Sequence, residues 1–469
     1  MVWASAVGAP VGMAIATVNP STGQTERSFE AHTEAEVERR ITNARAGFEE
    51  LSGTTFAQRS AWMRTAADLL DSEAGDIARI MTTEMGKTLV AAKAEAAKCA
   101  TAMRFYAEHA EEFLADVPAD AEAVKASSAY VTYQPLGVVL AVMPWNFPLW
   151  QVVRFAAPAL MAGNAGLLKH ASNVPQTALY LGELFTRAGF PSGAFQTVLV
   201  GSDRVAGIIA DDRVQAATLT GSEAAGRSLA AEAGKHLKKT VLELGGSDPY
   251  VVMPSADLAR AAEVAVTARC QNNGQSCIAA KRFIVHSDAY DEFTEHFVKA
   301  MSQLTVGDPM RESTDVGPLA TEQGRSDVAE LVDDAVAKGA EVLLGGSVPD
   351  QPGWWYPPTV IAGVTEQMRM FQEEVFGPVA ALYRVDSADE AVALANATSF
   401  GLGANAWTSD AGERDRFVRG LQAGLVFING MVASYPHLPF GGIKNSGYGR
   451  ELSAVGIKEF CNAKAVWIG

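Results

Sequence analysis

Gly137-Val138-Val139-Leu140-Ala141-Val142-Met143-Pro144-Trp145-Asn146-Phe147-Pro148 decides how the rest of the chain is read. Six apolar residues, 138–143, run without a charge and stop at a turn fixed by two prolines. The run is too short to cross a bilayer. Unbroken rather than alternating apolarity marks a strand buried on both faces, as in a parallel sheet. Parallel strands need helical crossovers, and the sequence supplies them. A helical stretch at 149–161 is followed by a strand at 166–168 and a helix at 176–188. A strand at 195–200, a short helix at 204–209, a strand at 216–220 and a helix at 222–233 complete the series. A second βα series follows Val241, through Ile284, Val342, Val379 and Val426. The fold class is therefore α/β, with two α/β units whose sheets bind ligands beyond the carboxyl ends of their strands.

Upstream of this stretch the pattern is helical. Thr33 and Glu36 form a capping-box pair, and Val37, Ile41, Ala44, Phe48 and Leu51 recur at helical spacing. Helical pattern continues over 56–113, with breaks expected near Gly75 and Gly86. Between 123 and 133 the composition turns to Ser127, Tyr130, Val131, Thr132 and Tyr133, which favour strand. The tail at 460–468 also reads as a strand. An exposed apolar edge strand demands a partner, so a homodimer or homotetramer is expected.

Of 469 residues, 48% are apolar and 20% charged, which supports large cores and excludes disorder. Lys and Arg number 38 against 54 Asp and Glu, a net charge of −16. Such a surface repels phosphate backbones and argues against nucleic acid as the main partner. A local Lys or Arg can still hold a small anion. Cys99, Cys270, Cys277 and Cys461 are too few for a disulfide scaffold, and no C-x-x-C pair suggests a metal site. A reducing, cytoplasmic setting with no membrane span fits this composition. Residues 1–12 lack the basic flank of a secretory signal and are interrupted by Gly8, Pro10 and Gly12. They read as a flexible extension, with the fold starting at Met13.

Four pieces of sequence carry chemistry. Cys277 follows Asn273-Gly274-Gln275-Ser276, a set of loop residues that would give a thiol access at a turn. Glu243 sits between an apolar strand and Gly245-Gly246, where a buried carboxylate can serve as general base. Asn146, in the Pro144–Pro148 turn, offers an amide donor for an oxyanion. Thr220-Gly221-Ser222-Glu223-Ala224-Ala225-Gly226 joins a strand to a helix, where backbone N–H groups can approach a phosphate. Taken alone, each also describes something plainer: a core cysteine, a loop acid, a turn asparagine or a plain strand–helix turn.

Together, and in this order, the four pieces resemble the aldehyde dehydrogenase superfamily. Glu84-Met85-Gly86-Lys87, Glu373-Glu374-Val375-Phe376-Gly377-Pro378 and Pro439-Phe440-Gly441-Gly442-Ile443-Lys444 are similar to other motifs of that family. The stretches 168–175 and 270–277 look closest to the bacterial succinate-semialdehyde dehydrogenases, of the actinobacterial NADP-linked type. The resemblance implies a Rossmann-like cofactor domain (13–122 and 137–243), a catalytic domain (244–455) and small oligomerisation strands (123–136 and 456–469).

It also implies roles. Cys277 would attack the aldehyde, Asn146 would hold the oxyanion, and Glu243 would activate the water that hydrolyses the thioester. Trp145, Lys169, Ser172, Gly221, Ser222, Glu374 and Phe376 match cofactor-binding positions. NAD-preferring members often carry Glu where this chain has Ser172, so NADP is expected, with NAD possible. Arg154 and Ser434 match positions that bind the distal carboxylate of succinic semialdehyde. A second arginine of that subsite is Gln271 here, which leaves the carboxylate arrangement open. Glu451 matches an acid near the water channel of some members. The activity implied is NAD(P)-dependent oxidation of succinic semialdehyde, as in GABA degradation. Other readings are a different or broad aldehyde specificity, transfer of the acyl group to coenzyme A, and a non-catalytic relative. A Cys–His thiol hydrolase with His170 or His437 as base is a further one.

Overall fold

The computed structural model describes residues 14–469. The extension 1–12 and the expected start at Met13 lie outside the described residues.

The chain begins with an antiparallel hairpin, β1 (Ala16–Asn19) and β2 (Gln24–Ser28). Four helices follow: α1 (Glu34–Ser52), α2 (Phe56–Ser72), α3 (Ala74–Met85) and α4 (Leu89–Phe113). The expected capping box at Thr33 is half formed. Its hydroxyl accepts from the Glu36 N–H at 3.3 Å, but the Glu36 carboxylate binds Arg39 and Arg40 instead. The reciprocal box stands one helix later, at Thr55 and Gln58. The expected break near Gly75 falls at Glu73, leaving Gly75 inside α3. Gly86 does end α3, at φ +79, the left-handed conformation that glycine takes without a Cβ clash.

Short β3 (Val117–Pro118) and β4 (Ser128–Pro135) lead into the first alternation. It runs β5 (Val138–Met143), α5 (Trp150–Ala162), β6 (Ala165–His170), α6 (Pro175–Arg187), β7 (Phe195–Thr197) and α7 (Val205–Ala210). It closes with β8 (Val214–Thr220), α8 (Glu223–Lys235) and β9 (Lys239–Glu243). The second alternation holds β10 (Asp248–Val252), α9 (Leu258–Cys270), β11 (Ala280–His286), β12 (Glu341–Leu344) and β13 (Thr359–Ala362). It ends with β14 (Val379–Val385), β15 (Gly403–Trp407) and β16 (Leu425–Ile428), followed by β17 (Gly447–Tyr448) and β18 (Cys461–Ile468).

The first sheet has the order β17-β9-β8-β5-β6-β7, and the second β12-β13-β14-β11-β10-β15-β16. Neighbours are parallel except the edge pairs β17–β9 and β12–β13. The apolar run 138–143 is unbroken because both of its faces are covered. Val139, Ala141 and Met143 pack among α2–α5, while Val138 and Leu140 pack in a separate core on the opposite face. In the second sheet, β10 divides likewise: Val251 enters one core and Tyr250 and Val252 the other.

The first sheet switches direction between β5 and β8: the chain steps from β5 to β6 and β7, then returns to lay β8 on the other side of β5. Such a switch point opens a crevice at the carboxyl ends of the strands. The Pro144–Pro148 turn after β5 and the Gly221-Ser222 turn after β8 both open there. The third sheet, β18-β4-β3, pairs residues 461–468 with 128–135 in antiparallel register. No helix among the described residues is long and apolar enough to cross a membrane.

Candidate active site

Cys277 lies in a turn that enters β11, not at a helix N-terminus. The turn is unusual. Asn272 and Asn273 both take left-handed conformations, at φ 55° and 58°. Asparagine tolerates that region better than other L-residues, and each side chain here is anchored. Asn272 Nδ2 donates to Asn146 O at 2.7 Å and Gln275 O at 3.0 Å. Asn273 Nδ2 donates to Gly86 O and Pro318 O, and its Oδ1 accepts from the Gly317 N–H. Lys281, buried on β11, donates to the carbonyls of Ser276 at 2.8 Å and Cys277 at 2.6 Å.

Gly274 takes φ +75, and a Cβ there would lie 2.4 Å from Gly377 C. Gly274→Ala is therefore expected to displace the thiol and lower kcat about 100-fold. Steady-state kinetics on protein with an unchanged circular dichroism spectrum checks this.

The loop carrying Cys277 faces the switch-point crevice of the first sheet, and the thiol stands between two cavities. One, about 290 Å³, is lined by Trp145, Asn146, Gly221, Ser222, Glu374 and Phe376, among others. The other, about 230 Å³, is lined by Lys98, Trp150, Arg154, Gln271, Ser434 and Phe440, among others. Cys277 lines both. Burial pushes its thiol up to about 12, against the opposing pull of Arg154 and Lys281. Cys99 and Cys270 are buried in α4 and α9, and Cys461 lies on β18. None of these three lines either cavity.

Asn146 Nδ2 gives one N–H to Gln275 O at 3.2 Å, which leaves its second N–H free. The backbone N–H of Cys277 has no acceptor among the described residues. Glu243 ends β9 and is buried, yet it lines neither cavity. Its carboxylate points toward Gly441, where an added Cβ would sit 2.6 Å from Oε1. Burial first, and then the neighbouring Glu451 carboxylate, push its pKa well above the usual range.

Arg154, on α5, is nearly fully buried and forms an ion pair with Glu451. Its guanidinium lies 4.3 Å from the Phe440 ring centroid. Glu451, expected as a water-channel acid, is thus the partner of the expected substrate arginine. Two groups of opposite charge without bulk water between them neutralise each other.

Around the larger cavity, Phe376 and Trp145 meet edge to face at 5.7 Å. Glu374 Oε1 lies 3.1 Å from Lys281 Nζ but accepts no hydrogen bond, so a buried acceptor remains for a hydroxyl. Ser222 caps α8 by accepting from the Ala225 N–H, while the N–H groups of Glu223 and Ala224 have no acceptor among the described residues. Orphan donors at a helix start favour a phosphate. This donor set fits a nicotinamide dinucleotide.

Two readings of the Thr220–Gly226 turn change. The Gly221 N–H donates to Glu243 O within the sheet, so it is not free for a ligand. Gly226 lies inside α8, where a Cβ would meet Leu244 at 2.6 Å, so it serves helix–strand packing. Lys169 lies at the end of β6, buried, with Asp203 as its charged neighbour. Ser172 follows it and accepts the Ala16 N–H on its carbonyl. Neither lines the 290 Å³ cavity.

His170 is bonded through Nε2 to Pro148 O at 2.9 Å, and burial lowers its pKa to about 4. The His437 ring packs 4.6 Å from Phe105. Neither lines a cavity with the thiol, which removes the support for a Cys–His hydrolase.

Sequence reading missed Lys98, Lys281, Asn272 and Glu95. Glu95, on α4, accepts from the N–H groups of Leu149 and Trp150, both at 2.8 Å, and pairs with buried Lys87. It thereby caps α5 and sets the position of Trp150 and Arg154. In sequence, these residues look like ordinary members of a polar helix face or a turn.

Known proteins resemble this chain over nearly its whole length. The sequence profile of the aldehyde dehydrogenase family matches residues 8–466. A protein of Mycobacterium avium named succinate-semialdehyde dehydrogenase (NADP+) is 63% identical over 458 residues, 97% of each chain. One of Mycobacterium tuberculosis with the same name, numbered 1, is 63% identical over 456 residues, 97% of this chain and all of that one. The crystal structure of a succinic semialdehyde dehydrogenase from Streptococcus pyogenes, in complex with NADP+, superposes with a TM-score of 0.94. It is 38% identical and covers 97% of this chain and 99% of that one.

Proposed function

This chain belongs to the aldehyde dehydrogenase family, and on that premise we propose that it oxidises succinic semialdehyde to succinate with NADP+. One observation carries the proposal: a single thiol stands between a cavity fitted to a dinucleotide and a second cavity lined by Lys98, whose ammonium has no carboxylate partner among the described residues. The names of the mycobacterial relatives support the substrate and the cofactor.

Cys277 loses its proton to solvent water, and the thiolate adds to the aldehyde carbon: the S–C bond forms as the C=O π pair moves to oxygen, giving the oxyanion of a thiohemiacetal. The oxyanion takes the free N–H of Asn146 and the backbone N–H of Cys277. Glu374, the start of α8 and the Trp145–Phe376 pair would hold the cofactor, and Lys169 and Ser172 would contribute from the neighbouring end of β6. Accepting the hydride is the chemistry that the nicotinamide supplies when bound. The Cys277 thioester that results is hydrolysed by water deprotonated by Glu243. Because Glu243 lines neither cavity, its side chain must rotate to reach that water.

The exposed strand β18, with Trp467 59% exposed, supports a homo-oligomer in which this edge is covered. Four free cysteines suit a cytoplasmic setting. A second reading, a dehydrogenase of broader aldehyde specificity, is favoured by the Arg154–Glu451 pair and by Gln271.

A panel of succinic semialdehyde and butanal with NADP+ and NAD+ tests the proposal. It expects kcat/KM with succinic semialdehyde and NADP+ to exceed every other pairing, by about 100-fold over butanal. Equal use of both aldehydes would select the broader reading, and formation of acyl-CoA rather than free acid would replace hydrolysis.

A further inference from the structure

The 230 Å³ cavity has two cations on its wall, and they are not equivalent. Arg154 is committed to Glu451. Lys98, from α4, has only neutral partners. Its ammonium donates to Ser434 Oγ at 2.7 Å and lies 4.3 Å from the Trp150 ring centroid. No carboxylate pairs with it among the described residues. Glu95, one turn earlier on the same helix, also lines the cavity, but it is engaged with Lys87 and the start of α5. A half-buried ammonium without an anion is a costly arrangement unless a ligand supplies the anion.

Ser434 completes the pattern. Its Oγ accepts from Lys98 and from Trp150 Nε1, at 3.0 Å. With both lone pairs used, its own O–H is left to donate. Ser434 and Lys98 therefore present converging donors into the cavity that holds Cys277.

We infer that Lys98, braced by Ser434 and Trp150, is the clamp for the distal carboxylate of the aldehyde and sets selectivity for carboxylated substrates. The inference rests on the proposed substrate class. It also accounts for how an enzyme with Gln271 in the carboxylate subsite could still bind a carboxylate.

The clamp is switchable by pH. Burial lowers the pKa of Lys98 to about 8, and Arg154 on α5 pushes the same way. Cys99 and Glu95 on its own helix, and Cys277 on the facing loop, oppose this. The charged form binds the carboxylate, so binding is strong below about pH 8 and weakens above it.

The test is the ratio of kcat/KM for succinic semialdehyde to that for butanal, measured from pH 6.5 to 9.5. Titrations shared by both substrates, including those of Cys277 and Glu243, cancel in this ratio. In the wild type the ratio is expected to fall as pH rises through about 8. Lys98→Met is expected to lower it on the order of 10- to 100-fold and to remove its pH dependence. Lys98→Arg is expected to restore the ratio in part and to move its decline beyond the measured range. Calorimetric binding of succinate to the wild-type protein, weaker at pH 9 than at pH 7, gives a readout independent of turnover and of whether the variants fold. A folded Lys98→Met protein with the wild-type ratio, or succinate binding that does not change with pH, would overturn the role of Lys98 alone. A wild-type ratio near one at every pH would overturn the substrate class and the clamp together.

Discussion

Cys277→Ala is expected to abolish aldehyde oxidation, with a loss on the order of 10,000-fold or more in kcat/KM. No other cysteine can replace it, because none of the three lines either cavity. The loss should be chemical rather than structural. The anchors of the loop are Asn272, Asn273 and Lys281, and their bonds run to carbonyls and a backbone N–H, not to the thiol. Protein with unchanged affinity for NADP+ in a fluorescence titration and no formation of NADPH would be the expected pair of results. Substantial turnover of succinic semialdehyde by the variant would remove Cys277 as the nucleophile.

The pH dependence of the wild type has a definite sign. Burial holds the thiol protonated through neutrality, with its pKa pushed up to about 12. The reactive thiolate therefore increases with pH, and kcat/KM for an uncharged aldehyde such as butanal should rise from neutral into alkaline solution.

Glu243→Gln is the second large effect, and it should divide the reaction in two. If Glu243 serves only hydrolysis, acylation and the reduction of cofactor proceed, while the thioester accumulates. Rapid mixing is then expected to show a burst of one NADPH per active site, followed by a steady rate about 100- to 10,000-fold below wild type. A uniform loss without a burst would place Glu243 in the acylation half. In the wild type, burial and Glu451 hold the carboxyl protonated above the usual range. The base is the deprotonated form, so thioester hydrolysis should accelerate as pH rises, and the variant should lose that dependence.

Both variants were designed from residues legible in sequence, and the reasons are local. A strand buried on both faces must be apolar throughout, so 138–143 announced itself, and the structure places its alternate residues in two different cores. The turn after such a strand is where ligand chemistry collects, which singled out Asn146 and the Gly221-Ser222 turn. The capping box expected at Thr33 forms only by half because Arg39 and Arg40, one turn on, compete for Glu36. Gly226 follows the same logic: a glycine's use depends on what approaches its Cα, here Leu244.

What remained hidden is long-range electrostatics. A lysine on a helix is ordinarily solvated, and nothing near Lys98 in sequence says that its ammonium meets Ser434 and Trp150. Nor does sequence show that Arg154 is already paired with Glu451. The acidic net charge of −16 gave no hint that cations line the cavity beside the thiol. By itself the sequence determined the α/β architecture, the candidate nucleophile and the turns around it, because each is written in contiguous residues with a fixed period or a fixed bend. Only the tertiary structure decided which cation is free to meet a substrate. The charge state and availability of a buried group depend on its neighbours in space, and those come from helices and loops far apart in the chain.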